Sequence, residues 1–388
     1  MLSRTVVKMV AWTLCLGSVA AGEVGADMRW TSSLAVNQMY DDNVNYASTR
    51  KQEDFTTTVT PNMAFTGRAW DLDLNGNIGS TWTEYAKRAS SSVVTSSGGV
   101  TLKADALTGR LLRTWGLSVT ENYSYTRDLP TFAQFGSQAA LSNSGIQTNR
   151  FTTLANNMGI STSYGLTPQT QLTGGYNNSL TRFDSNGALT NSTSHALQGG
   201  WQQTLTPAVS VHVGYTASRF VFDGGGSSDT HGGDAGFSWQ VRPDLTVDGS
   251  LGGSYLPSQD RISPNFSAGF TKQLQASSIG ARAARSISTS GGLAAAVSTQ
   301  DTLSALASRQ LTPSLSVNIS ANRAVTKSVG VQTVDVTSLG VTPGLSYTIK
   351  RWLSMTAAYS YLKQESAGVA GSALVRNTMT VGFTCTWP

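Results

Sequence analysis

Three histidines, a scatter of acids and two cysteines are the groups in this chain that could do chemistry. Histidine moves protons near neutral pH, and becomes catalytic when a serine or an acid is arranged beside it in space. His212 lies on an alternating polar and apolar segment, on the polar side, while His195 and His231 fall on or near loops. Asp71, Asp73, Asp234 and Asp248 share the same polar parity on their segments. They are either a catalytic set or solvated charges on a wetted wall. The sequence has no Gly-x-Ser-x-Gly elbow, no His-x-x-x-His pair and no phosphate loop, so neither an enzyme nor a bound cofactor is expected. Cys15 lies in the leader, and Cys385 is left without a Cys or His neighbour, which points to neither a disulfide nor a metal site.

The elements that must position these groups are strands. Charged residues make up only 13% of the chain, 39 positions are glycine, and the net charge of +5 is diffuse. Without a Lys/Arg cluster, nucleic acid is not an expected partner. Long apolar helices and helical stripes are missing, and the period is two. Val209, Val211, Val213 and Tyr215 alternate with Ser210, His212, Gly214 and Thr216. Leu315, Val317 and Ile319 alternate with Ser316, Asn318 and Ser320, and Leu353, Met355, Ala357 and Tyr359 with Ser354, Thr356 and Ala358. Such strands carry one apolar and one polar face.

Proline-marked turns punctuate the strands: Leu166-Thr167-Pro168, Leu205-Thr206-Pro207, Val241-Arg242-Pro243 and Leu311-Thr312-Pro313. Proline presets φ at a turn and cannot serve a central ladder. Short turns near residues 67, 108, 167, 206, 242, 276, 312 and 350 predict eighteen strands. The Ala-rich stretch 286–302 leaves sixteen as the alternative. A soluble sandwich would bury the apolar face, whereas a membrane barrel turns it toward lipid. Strands of 10 or more residues, short turns alternating with long polar loops, and two aromatic girdles favour the barrel. Trp30, Trp70, Trp115, Trp201, Trp239, Trp352 and Trp387 lie near short turns or a mature terminus. Tyr123, Tyr125, Tyr176, Tyr215, Tyr255, Tyr359 and Tyr361 mark the far ends.

Residues 1–26 read as a secretory signal. Arg4 and Lys8 precede the apolar residues 9–21, and Val24-Gly25-Ala26 offers a cleavage site. Residues 27–388 then form one transmembrane antiparallel β-barrel in the bacterial outer membrane, with both termini periplasmic. In the last strand Gly382, Phe383 and Trp387 belong to an alternating run ending on an aromatic, which resembles the C-terminal signal read by the barrel-assembly machinery; Pro388 departs from it. Cys385 reads there as a small lipid-facing residue. Arg182, Arg219 and Arg323 fall on the apolar parity at the outer ends of strands, positioned either to contact lipopolysaccharide phosphates or to snorkel at the rim. Glu121 also falls on apolar parity, which a bulge would resolve. Residues 127–149 are the largest expected loop, placed either in the lumen or outside.

The motif Tyr40-Asp41-Asp42-Asn43-Val44, the Leu-Thr-Pro turns, and Val341-Thr342-Pro343-Gly344-Leu345-Ser346-Tyr347 before Trp352-Leu353-Ser354 resemble outer-membrane barrels encoded with exopolysaccharide or PEP-CTERM export genes. The resemblance extends over nearly the whole mature chain. It implies a part in the passage or assembly of a polysaccharide at the outer membrane, with periplasmic export components as partners. A wall of Ser, Thr, Asn, Gln and Gly is compatible with that role. A general diffusion porin for small solutes and a surface adhesin or scaffold are the alternatives.

Overall fold

The structure, a computed structural model, describes residues 27–69, 71–87, 92–112, 114–126, 152–184, 190–224, 226–290, 296–328, 334–368 and 373–387. The proposed signal, Trp70 and the 127–149 segment lie outside these residues. Eighteen antiparallel strands follow one another around a single closed sheet: β1 (Asp27–Asp41), β2 (Asp54–Ala69), β3 (Leu72–Tyr85), β4 (Val93–Lys103), β5 (Trp115–Thr126), β6 (Thr152–Thr167), β7 (Thr170–Asp184), β8 (Ser192–Thr206), β9 (Val209–Phe222), β10 (Ser227–Arg242), β11 (Leu245–Leu256), β12 (Arg261–Leu274), β13 (Ser277–Ser290), β14 (Ala296–Thr312), β15 (Leu315–Ser328), β16 (Val334–Lys350), β17 (Leu353–Gly368) and β18 (Leu374–Trp387). Every neighbour pairs in sequence order, and β18 closes onto β1. Residues 286–290 and 296–302 belong to the paired strands β13 and β14, so the count is eighteen rather than sixteen. With an even number of strands both ends of the sheet, Asp27 and Trp387, emerge beside the short turns.

Alternation decides the two faces. The apolar set is the more exposed, as expected on a convex surface where side chains splay: Leu251 is 74% exposed, Met379 58% and Val213 50%. The polar set faces inward. Cys385 points outward, between Leu34 and Leu353 on the flanking strands. Trp30, Trp115, Trp201, Trp239 and Trp387 share the outer face near the short-turn end, and Tyr123, Tyr125, Tyr215, Tyr255 and Tyr359 share it farther along.

The Leu-Thr-Pro repeat has a mechanical explanation. Thr167 Oγ1 accepts from the backbone N–H groups of Gln169 and Thr170, and Thr312 Oγ1 from those of Ser314 and Leu315. The threonine caps a turn whose φ the proline has already set. Just before the turn the register slips by one residue, at Leu166, Leu205, Val241, Leu311 and Ile349. Each turn then accepts a bond from the next hairpin. Thr204 donates to Gln169, Gln240 to Ala208, Gln273 to Asp244, Gln310 to Ala276, Thr348 to Ser314 and Thr386 to Trp352, at 2.7–2.9 Å. The turns therefore form a linked rim. The turn expected near residue 108 departs from this pattern: a longer connection between β4 and β5 holds a short helix, α1 (Asp105–Thr108), because Thr108 bonds back to Ala104 and to Trp115 instead of reversing the chain.

At the opposite end the seam between first and last strands is locked by the Tyr40-Asp41-Asp42-Asn43-Val44 segment. Asp41, fully buried, takes a two-pronged bond from Arg376 at 3.0 and 2.8 Å. Arg376 also lies 4.9 Å over the Tyr46 ring. Asp42 accepts from the backbone and side chain of Asn377, and Asn43 donates to the carbonyls of Ala47 and Val375. Beside this lock, Lys87 bonds Glu53 at 2.7 Å and holds that carboxyl below its usual range. A depressed acid favours the folded clasp at neutral pH and releases it as pH falls through the lowered value. Replacing Arg376 by Met leaves Asp41 buried and uncompensated, at a cost of about 3 kcal/mol. Arg376→Met is expected to lower the temperature at which the folded band is lost in heat-modifiability gels, and Arg376→Lys to lower it less.

Candidate functional site

The inner wall is the candidate site, and it is built from small polar side chains and glycine. Several longer inward residues lie flat because the residue opposite is glycine. Asn37 lies over Gly382, Asn122 over Gly99, Asn322 over Gly340 and Asn318 over Gly344; a Cβ on any of these glycines would collide with the asparagine oxygen. Each such pair keeps an amide on the wall and out of the lumen's axis. Toward the long connections the inward residues are buried, among them Thr83, Thr95, Thr181, Thr230, Ser298 and Gln364, which encircle the barrel. Toward the short turns inward residues such as Lys103, Thr173, Gln202, Thr348 and Thr386 are exposed. The open vestibule is thus at the short-turn end.

Charges on that open wall come in pairs. Asp73 is inward and 3.6 Å from Arg68. Asp248 is inward and bonded by Arg282, and Asp71, at the β2–β3 turn with φ of 66°, is bonded by Arg110. Asp234 and His212 face each other at 3.4 Å. The last pair has a reciprocal construction: His212 lies across Gly236, and Asp234 lies across Gly214, which is directly opposite it on β9. With Arg29 and Lys103 added against Asp105, the cations and carboxylates among the described inward residues of this half are equal in number. Removing a charge at this point unmasks its partner. Asp248→Asn is expected to shift the reversal potential in a KCl gradient across planar bilayers toward anion preference, and Arg282→Gln toward cation preference.

The acids expected from parity are therefore all on the inner wall or its rim, but the structure does not bring them together. They lie on β3, β10, β11 and a turn, each with its own cation or imidazole. Among the described residues no group of three or more His, Cys, Asp or Glu side chains could hold a metal. Sequence reading missed the cationic half. Arg68 and Arg282 carried the same inward parity as the acids and could have been found that way; Asp105 and Arg110 could not, because their placement depends on the irregular connection around α1.

His195 and His231 are not loop residues. They sit within β8 and β10 on the outer face, where their Nδ1 atoms meet Tyr176 and Tyr215 hydroxyls at 2.8 Å in stacked pairs, with ring centroids 6.2 and 6.4 Å apart. The strands simply run longer than the apolar pattern shows, because their outer turns of sequence are polar on both faces. Glu121 is not rotated inward either. The β4–β5 and β5–β6 registers run without a bulge, and Glu121 stays on the outer face, where Asn156 donates to it. Arg182, Arg219 and Arg323 do lie outward in the outer halves of β7, β9 and β15; Arg219 is 3.9 Å from Asp229. In β18, Phe383 and Trp387 point outward and Gly382 inward. An outward pair the sequence reading did not single out, Arg285 with Asp301 at 2.5 and 2.7 Å, sits beside Phe266, over whose ring the guanidinium lies.

No protein-family model and no curated protein sequence matches the chain. Solved structures do. The chain is similar to OccAB4 of Acinetobacter baumannii, with a TM-score of 0.50, 10% identity, and coverage of 93% of this chain and 98% of that one. It is also similar to OccK5 (OpdH) of Pseudomonas aeruginosa (TM-score 0.49, 12% identity, 92% and 98% covered) and to OmpT, an outer membrane protein of Vibrio cholerae (0.46, 12%, 95% and 99%). At such identities the likeness to OccAB4 speaks for the fold alone. That fold is a closed transmembrane β-barrel of eighteen strands.

Proposed function

We propose that this barrel sits in the bacterial outer membrane and serves the passage or surface assembly of a neutral, hydroxyl-rich exopolysaccharide. The observation that carries this reading is the inner wall: hydroxyls, amides and glycine, with Asp71, Asp73 and Asp248 each met by an arginine. A polymer of hydroxyl groups exchanges hydrogen bonds along such a surface without a charge deep enough to trap it. Asparagines laid over glycines offer donors and acceptors while leaving the lumen wide. An eighteen-strand barrel has the diameter for an aqueous lumen. In this reading residues 1–26 are cleaved on export, and both termini and the short turns face the periplasm, where polysaccharide-export components deliver the chain. The barrel-assembly machinery recognises β18 through Phe383 and Trp387, and Arg182, Arg219 and Arg323 contact lipopolysaccharide at the outer rim. Chemistry on the polymer is left to other proteins.

A passive pore for small neutral solutes is the second reading, favoured by the open vestibule at the short-turn end. Gene deletion separates the two. Loss of surface polysaccharide, measured on washed cells and restored by the intact gene, is expected. Unchanged secretion, together with a constitutively open channel in planar bilayers, rejects export in favour of the pore.

A further inference from the structure

Within the vestibule, the wall from β4 to β10 is hollowed into a recess of about 600 Å³, within the range of small-molecule sites. Three features set it apart from the rest of the lumen. Its floor includes Gly116, Gly200 and Gly214, over which Ser163, Thr173 and Asp234 fold flat, so the floor is shallow and lined by small polar groups. Its rim carries groups that accept and donate side by side. Asp234 and Asp105 accept, Lys103 donates, Gln198 and Gln202 do both, and His212 stands 3.4 Å from Asp234. These groups are also held in place: Asp105 by the Leu117 N–H at 3.1 Å, His212 by lying across Gly236, and Gln198 by lying across Gly175.

We infer that this recess is a saccharide-binding subsite, which grips successive neutral sugar units of the polymer as they enter the lumen; the inference rests on the polysaccharide reading above. A pyranose presents an apolar C–H face and an equatorial rim of hydroxyls. The shallow floor admits the flat face, and the carboxylates, amides and ammonium meet hydroxyls that both give and take protons. Two carboxylates against one lysine leave the recess acidic, so a uronic acid is disfavoured relative to a neutral sugar.

The test is titration calorimetry of the detergent-solubilised full-length barrel with maltohexaose, and with an oligogalacturonate of the same length. Binding of the neutral probe at least tenfold tighter than the acidic one is expected. Asp234→Asn combined with His212→Ala is expected to weaken maltohexaose at least tenfold, while Met379→Leu, on the outward face of β18, leaves it unchanged. Should the first variant fail to assemble by heat-modifiability, Gln198→Ala with Gln202→Ala is expected to give the same loss. No binding to the wild type, or binding indifferent to both double variants, overturns the inference. Failure of the export reading looks different: binding persists, but gene deletion leaves secretion intact.

Discussion

Hydrocarbon offers a backbone amide no partner, and every other feature of this barrel follows from that constraint. A sheet in lipid must spend all its N–H and C=O groups on itself, which means it cannot have an edge. Here closure is made by ten paired residues of β1 and β18, and the last link is chemical as well as geometric. The fully buried Asp41 is tied to Arg376, and Asp42 and Asn43 are tied to Asn377 and Val375 across more than 330 residues of chain. Sheet pairing alone leaves the first and last strands free to slip. Side chains that fit only one register remove that freedom.

Once the sheet is closed, the remaining design problem is the inner face. An eighteen-strand wall does not fill itself with side chains, and water occupies what is left. Bulk is kept down by placing glycine opposite the longer polar residues, so that asparagine, histidine and aspartate lie along the wall. Charge is kept down by pairing. The combination gives a surface that is polar at short range and close to neutral at long range.

Several polar groups on the outer face have a compensating neighbour. Arg285 and Asp301 neutralise one another in a two-pronged pair, with Phe266 covering the guanidinium. His195 and His231 share their ring nitrogens with tyrosine hydroxyls. Glu121 is held by Asn156. In each case a polar group on the outward face is met by a neighbour on the sheet, because the hydrocarbon cannot meet it.

The chain's own sequence determined the barrel and the two faces, and left the strand number at eighteen or sixteen. Alternation is a local property, and parity relative to a turn fixes which solvent a side chain meets. That is why Asp73, His212, Asp234 and Asp248 were legible as inward, and Phe383 as outward. Tertiary structure decided what those residues do. Pairs such as Arg282 with Asp248 or Arg376 with Asp41 join distant positions whose meeting depends on register accumulated around the barrel. The histidines near the starts of β8 and β10 were read as on or near loops because polar strand ends look like loops when read one segment at a time. The recess, finally, gathers residues from seven consecutive strands and the connection that holds α1. No window of sequence contains it, because only the curvature of the closed wall brings its groups to one place.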